Sequence, residues 1–379
     1  MLRIGFEAKR LFHNPTGLGT YARSLLQGLL QAFPRNEYHL FTPRFAEPGP
    51  EAAFLRAQAV RIHTPRHAPL QSWWRSYAQT RRWKELRLDL YHGLSHELPL
   101  GAEKSGLPLV VTVHDLIFLR HPEFFPWLDR RLYAWKCRRA CRIARRIVAV
   151  SAHTKKDLVE LFGIAPERVE VLPPALDARF LQPAPPLPNQ PPFQGLPSEF
   201  LLFAGGTAPR KNLRGCLQAL ALLPEGQRLP LVVVGAGTGL PGSLGALVRK
   251  EGLERWVILP GRVSQEALHA LYARARLLLY PSLYEGFGLP VVEALACGTP
   301  VLTSQGSSLP EAGGPGACYV NPHDPEHIAE GLQRLLSDAE LYQRLRQAGA
   351  RHIRRFTPRR AARAAMALYR RLVDAPDSS

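Results

Sequence analysis

The sequence predicts an α/β protein built from two doubly wound parallel-sheet domains with a cleft between them. Three observations carry this. The chain has 379 residues, longer than one hydrophobic core usually grows, so two domains of roughly 150–200 residues are expected. Short apolar, β-rich runs alternate with helical stretches throughout, and continuous apolar strands separated by helices belong in a parallel sheet covered on both faces. That alternation is interrupted at residues 183–197, PAPPLPNQPPFQGLP, a proline-rich stretch without charge that reads as a semi-rigid linker.

The predicted division is therefore a first Rossmann-like domain over 1–182, the linker over 183–197, a second Rossmann-like domain over 198–356 and a closing segment over 357–379. The strands of the first domain are LRIGF, YHLFT, LDLYHG, LPLVVTVHDL, RIVAVSA and VEVLPPAL. Those of the second are EFLLFAGG, LPLVVVGAG, WVILPG, RLLLYPS, PVLTS and ACYVNP. In the closing segment TPRRAARAAMALYRRLV, Thr357 to Val373, a helix places Ala, Leu and Tyr on one side. Its return to the first domain is left open.

Chemistry-bearing residues fall at the turns after these strands. NPTGLGTYARSLLQGL places Gly17 and Gly19 ahead of a helix beginning near Thr20. Unpaired N–H groups and the positive end of the helix dipole then point the same way, which makes an anion site; a plain tight turn is the competing reading. His114 ends the strand LPLVVTVH, at the carboxyl end of a parallel strand, where α/β sites cluster. Asp115 stands beside it to orient it, and outside that context such a pair is a structural hydrogen-bonder. FAGGTAPRKN ends a strand with two glycines and presents Arg210 and Lys211. A guanidinium fork beside an ammonium suits a diphosphate, although an adjacent Arg–Lys pair is commonly mere surface. LVVVGAGTGL begins like a dinucleotide fingerprint, but Leu240 takes the place of the third glycine and Glu251 follows closer than the usual ~20 residues, so no NAD site is read there.

The richest turn is EGFGLPVVEALACG. Gly286 and Gly288 clear space, Pro290 suits the first helical position, and Glu293 falls in the first or second turn of a helix ending at Gly298. The N–H groups of Phe287, Gly288 and Leu289 can hold a phosphate. A carboxylate near a helix start is also favoured by the dipole alone, which gives Glu293 a purely structural reading.

A net charge of +18, and its concentration in the first half, imply attraction to nucleic acid, a phospholipid surface or phosphorylated substrates. Arg120 to Arg146 carries nine basic and two acidic residues interleaved with Phe124, Phe125, Trp127, Tyr133 and Trp135. A helix from about Pro126 puts Leu132, Trp135 or Lys136, and Arg139 at helical spacing, an imperfect apolar stripe. Two readings stand: a solvated basic face on a core-packed helix, or an interfacial helix resting on anionic lipid. In QSWWRSYAQTRRWKEL, Trp73, Trp74, Tyr77 and Trp83 either sit at headgroup level or simply pack. No recognised nucleic-acid motif occurs and the basic residues form no single array, so nucleic acid is not an expected partner. No apolar run approaches the ~18–20 residues of a spanning helix, and MLRIGFEAKR reads as a strand rather than a signal peptide. A cytoplasmic location follows, with peripheral attachment to the inner membrane face as the corollary of the basic first half. The five cysteines form no CxxC pair and read as small buried hydrophobes.

Taken in order, the stretch GRVSQEALHALYARARLLLYPSLYEGFGLPVVEALACGTPVLTSQGSSLPEAGG, Gly261 to Gly314, closely resembles the C-terminal signature of retaining nucleotide-sugar glycosyltransferases of the GT-B fold, family 4. The resemblance runs over nearly the whole chain and takes in the opening glycine loop, TVHDL, the RKN turn, the two-glutamate motif and the SLPE segment. It implies transfer of mannose or a related hexose from a nucleotide-diphosphate sugar to a saccharide or lipid-linked acceptor, with retention of configuration. It also implies roles. Glu285 contacts sugar hydroxyls of the donor and Glu293 its ribose hydroxyls; Arg210 and Lys211 grip the diphosphate with the backbone from Gly286 to Leu289. Gly17 and Gly19 face the donor from the first domain, the backbone at Val263 meets the base, and His114 hydrogen-bonds the sugar during transfer. One departure stands out: many relatives place an arginine five positions before the lysine, where this chain has Gly206.

The chemistry agrees. Breaking a sugar–diphosphate bond leaves negative charge on the leaving group, which preorganised donors and cations stabilise. No D-x-D signature appears at a strand end, so neither a metal nor another cofactor is expected. A sugar-nucleotide epimerase or a glycogen-synthase-like polymerase would use the same fold and carboxylates. A glycoside hydrolase needs its acids on opposite faces of the sugar, whereas this turn brings them toward a phosphate.

Overall fold

The computed structural model describes residues 1–14, 16–45, 50–65, 79–236 and 239–374. It divides into two compact units: Met1–Asp177 together with Phe356–Ser379, and Ala178–Arg355. The proline-rich stretch 183–197 lies within the second unit.

In the first unit seven parallel strands form one sheet: β1 (Arg3–Glu7), β2 (Glu37–Phe41), β3 (Val60–His63), β4 (Leu90–Gly93), β5 (Leu109–Val113), β6 (Arg146–Ala149) and β7 (Val169–Val171). Their spatial order is β3-β2-β1-β4-β5-β6-β7. The order therefore reverses between β1 and β4, the switch point at which open α/β sheets leave a crevice beyond the strand ends. Every side chain of β5 is buried, as an apolar run covered on both faces requires. Val111, Val113, Ile147 and Ala149 join Trp83, Tyr91 and the small side chains of Cys137, Ala140 and Cys141 in one core cluster. Trp83 packs rather than reaching outward, with its ring 4.1 Å from that of Tyr91; Trp73, Trp74 and Tyr77 lie outside the described residues.

A helix over Pro358–Asp374 completes this unit. It lies against the helix Gly17–Ala32 and buries Ala362, Ala365, Met366, Leu368, Tyr369 and Leu372. Close approach is possible because Gly28 has no side chain: a Cβ there would sit 2.5 Å from the Pro358 carbonyl oxygen.

The second unit holds six parallel strands: β8 (Leu201–Ala204), β9 (Leu231–Val234), β10 (Val257–Gly261), β11 (Leu277–Tyr280), β12 (Val301–Ser304) and β13 (Ala317–Val320). They are ordered β10-β9-β8-β11-β12-β13, with the reversal between β8 and β11. Leu201, Phe203, Leu231, Val233, Leu277 and Leu279 form the sheet's contribution to its core.

In the Arg120–Arg146 stretch the helix packs on the core through its small side chains and leaves its large apolar ones outside, an arrangement compatible with either of the two readings of the sequence. This helix, Trp127–Ile143, buries only Cys137, Ala140 and Cys141. Of the imperfect stripe read from spacing, Leu132 and Trp135 are exposed, while Lys136 and Arg139 are half-buried. Among the described residues no helix is long and apolar enough to cross a membrane.

Candidate functional site

The second sheet brings the key residues to its own switch point. Beyond β8 the backbone turns through Gly205 and Gly206, with φ of 149° and 71°, conformations that favour glycine. Gly206 also lies against the next turn, since a Cβ there would be 3.1 Å from the Gly235 carbonyl oxygen. The turn delivers Arg210 and Lys211, and Asn212 locks it. The Asn212 amide donates to the carbonyls of Pro281 (3.1 Å) and Pro322 (2.6 Å), while its side-chain oxygen accepts from the Gly215 amide at 3.2 Å. This last bond caps the helix Leu213–Leu222. Beyond β11 the chain continues to Glu285, and the Leu283 amide donates to the Arg210 carbonyl at 2.8 Å. The two turns are thereby stitched together.

Glu285 is buried and fully engaged. Lys211 Nζ donates to Oε1 at 2.6 Å, the Tyr280 hydroxyl donates to the same oxygen at 3.0 Å, and Arg210 Nη1 donates to Oε2 at 3.0 Å. Burial by itself would raise this carboxyl; the charges of Lys211 and Arg210 overcome that and bring its pKa down to about 2. Tyr280 moves the other way. Burial, reinforced by the Glu285 charge, pushes its phenol well above the ordinary value, so it remains a hydrogen-bond donor. Lys211 also hydrogen-bonds the Tyr280 hydroxyl and sits 4.8 Å from the ring centroid. Two cations thus share one carboxylate, and the cluster keeps a net positive charge for an anion to meet.

The glycine turn follows directly. The Glu285 amide donates to the Ser307 hydroxyl at 3.2 Å, and the Ser308 hydroxyl donates to the Glu285 carbonyl at 2.9 Å. Gly288 has φ of 105°, and a Cβ there would meet Leu309 at 2.7 Å. Both facts demand glycine. The helix begins at Leu289, so Pro290 is its second residue rather than its first, and it ends at Ala296, two residues before Gly298. Gly286 and Phe287 are buried within the turn. Glu293 is buried one helical turn onward and accepts from the Tyr272 hydroxyl at 3.0 Å. Val263 is half-buried in the connection between β10 and the helix Gln265–Arg274.

In the first unit His114 follows β5 immediately and is buried. Its Nε2 lies 2.8 Å from the Leu94 carbonyl oxygen. A carbonyl only accepts, so Nε2 carries the proton and Nδ1 is the ring's acceptor. Burial, with nearby His96, lowers its pKa to about 3, so the ring is neutral at physiological pH. The edge of Tyr21 meets it with centroids 4.8 Å apart. Behind them runs a buried chain of hydrogen bonds: Tyr21 to Thr112 (3.0 Å), Thr112 to His92 Nε2 (2.8 Å) and His92 Nδ1 to Tyr369 (2.7 Å). Asp115 accepts from the Ile117 amide at 3.2 Å, and its charge acts on the neighbouring imidazole in the direction opposite to burial.

Gly17 and Gly19 correct one expectation. The helix begins at Gly17, not near Thr20, so both glycines lie in its first turn. Gly19 is required by packing, because a Cβ would stand 1.8 Å from the Asn14 carbonyl oxygen. Among the described residues no group of three His, Cys, Asp or Glu side chains converges as metal ligands do. Of the residues singled out in the sequence, Arg210, Lys211 and Glu285 come into direct contact. Tyr280, Tyr272, Tyr21 and His92 were missed; each sits in an apolar strand or helix, where sequence alone reads it as core.

Two parallel, doubly wound sheets of seven and six strands in one chain are the architecture of the GT-B glycosyltransferases. Residues 15–180 match the family described as Glycosyltransferase Family 4, and residues 190–352 match Glycosyl transferases group 1. The chain is 32% identical to O-antigen chain mannosyltransferase B of Escherichia coli over 360 residues, covering 89% of this chain and 91% of that protein. Sucrose-phosphate synthase from Thermosynechococcus elongatus has the same fold, with a TM-score of 0.76, 19% identity and coverage of 99% of this chain and 100% of the other. HepE of Anabaena, solved in complex with UDP-glucose, gives a TM-score of 0.70 at 20% identity over 97% and 99% of the two chains. The protein belongs to glycosyltransferase family 4.

Proposed function

We propose that the enzyme transfers mannose or a related hexose from a nucleotide-diphosphate sugar to a saccharide or lipid-linked acceptor, with retention of configuration and without a metal. The observation that carries this reading is the contact of Arg210 and Lys211 with Glu285 at the second switch point. Donor diphosphate oxygens accept from Arg210, Lys211 and the amides of Phe287, Gly288 and Leu289. The cations and the helix start then stabilise the charge that develops on the leaving phosphate. Glu285, ionised and held by three donors, accepts from sugar hydroxyls. Glu293 accepts from the ribose hydroxyls, and the backbone at Val263 meets the base. His114, with its proton on Nε2, receives a sugar hydroxyl at Nδ1. The helix entry at Gly17 and Gly19, which no side chain caps, donates backbone N–H groups to an anionic group. Similarity to a mannosyltransferase over most of both chains favours mannose and favours transfer over epimerisation.

The test is a panel of nucleoside-diphosphate hexoses assayed with EDTA present. A donor at about 100 times its dissociation constant adds about 2.7 kcal/mol to native stability, which thermal shift detects. The same donor should yield a product whose anomeric configuration, read by NMR, matches its own. Transfer from none of the hexose donors, abolition by EDTA, or an inverted product would each remove the corresponding part of the reading.

A further inference from the structure

The helix Trp127–Ile143 is built inside out. Its core-facing residues are the small Cys137, Ala140 and Cys141, while its large apolar side chains point away. Trp127 is 55% exposed, Leu128 71%, Leu132 47% and Trp135 54%. With 3.6 residues per turn these four share one face with Arg131, Arg138 and Arg142, all exposed. Arg131 lies over the Trp127 ring at 4.9 Å. The acids of this stretch are Glu123, which pairs with His121, and Asp129 in the helix's first turn. An ordinary surface helix presents the opposite arrangement, with apolar side chains inward and charge outward. Contiguous exposed apolar surface of this kind marks an interaction site.

We propose that this face is a membrane-docking surface, and that its partner is an anionic phospholipid bilayer. The chemistry selects that partner. Indole rings settle at the headgroup boundary, Leu128 and Leu132 enter the acyl edge, and arginines at the same depth meet lipid phosphates in bidentate fashion. The helix lies flat, since its axis carries the mixed face along its whole length. The cysteine–alanine face stays packed on the sheet, so docking needs no rearrangement of the core. The proposal is independent of the donor chemistry and stands or falls on lipid binding alone.

The experiment uses the full chain with vesicles of phosphatidylcholine alone and of phosphatidylcholine mixed with phosphatidylglycerol. Sedimentation should show binding to the mixed vesicles only, with a blue shift of tryptophan emission and quenching by bromine-labelled acyl chains. Leu128→Ser combined with Trp135→Ser should abolish binding without changing the thermal midpoint, because both side chains are exposed. Arg131→Gln and Arg138→Gln should each weaken binding about fivefold, the effect of one basic residue at an anionic surface. Equal binding to both vesicle types would overturn the proposal. So would wild-type binding by the serine variant, or a homodimer that this variant dissociates, which would mean that a second copy covers the face.

Discussion

Replacing Lys211 with methionine keeps the aliphatic bulk of the side chain and removes one of the two cations that hold Glu285. The structure sets the magnitude. Glu285 titrates at about 2 rather than the ordinary 4.5, and that difference is worth roughly 3 kcal/mol to the folded state. Arg210 remains in the variant but is more exposed to solvent than Lys211, so it retains the smaller part. Loss of roughly 2–3 kcal/mol at neutral pH is expected, at the low end of what breaking a buried pair costs. For a unit of this size the thermal midpoint should fall by roughly 4–12 °C. The pH dependence is the sharper signature. A depressed carboxyl pKa contributes its full stability above 4.5 and loses it as the pH falls through about 2. The gap between wild type and variant in urea melts should therefore stay level from about pH 7 to about pH 5 and narrow only below that, as the buffer is taken on to about pH 3. Combining Lys211→Met with Glu285→Gln removes the carboxylate that has lost its nearer cation and should recover much of the loss. An undiminished gap in acid, or strict additivity of the two substitutions, would refute the electrostatic account.

Three further outcomes follow from the same geometry. His114→Ala should lower kcat about 100-fold while leaving the donor's KM nearly unchanged; and because burial holds the imidazole pKa near about 3, wild-type kcat should show no break from this group between about pH 5 and 8. Glu293→Gln should raise the donor's KM and leave the thermal midpoint close to wild type, since the amide oxygen can still accept from Tyr272; an unchanged KM would return Glu293 to a structural role. Tyr369→Phe removes the last hydroxyl of the chain behind His114 and should cost about 1–3 kcal/mol, measured as a lower midpoint for the first unit.

Much of this architecture was legible because a strand buried on both faces must be apolar throughout. EFLLFAGG and RLLLYPS announce themselves in that way, and the turns that follow them carry Gly, Arg, Lys and Glu in recognisable order. The strand VRIH at β3 was not read. It lies at the sheet edge, with Val60 and His63 buried and Arg61 exposed, so its four residues lack the apolar signal. The glycine loop near Gly17 was found, but its helix was started three residues late, because glycine usually stops a helix and here the close approach of Asn14 demands it. Tyr280 was hidden for a different reason. A tyrosine ending an apolar strand is core by pattern, and only the fold reveals Glu285 and Lys211 at its hydroxyl. The spacing of Trp127–Ile143 leaves two readings open because it identifies a stripe without saying which way it turns; the structure turns the large apolar side chains outward.

The helix Pro358–Asp374 belongs to the same unit as β1, with Tyr369 buried against His92 and Phe6. During synthesis the ribosome must therefore emit all of Ala178–Arg355 before this helix can reach its seat. At roughly 5–20 residues per second that delay is on the order of 10–40 s, long enough for the second unit to finish folding. The first-made half of the polypeptide is thus the last to mature, and through that interval it offers chaperones an apolar groove the length of one helix.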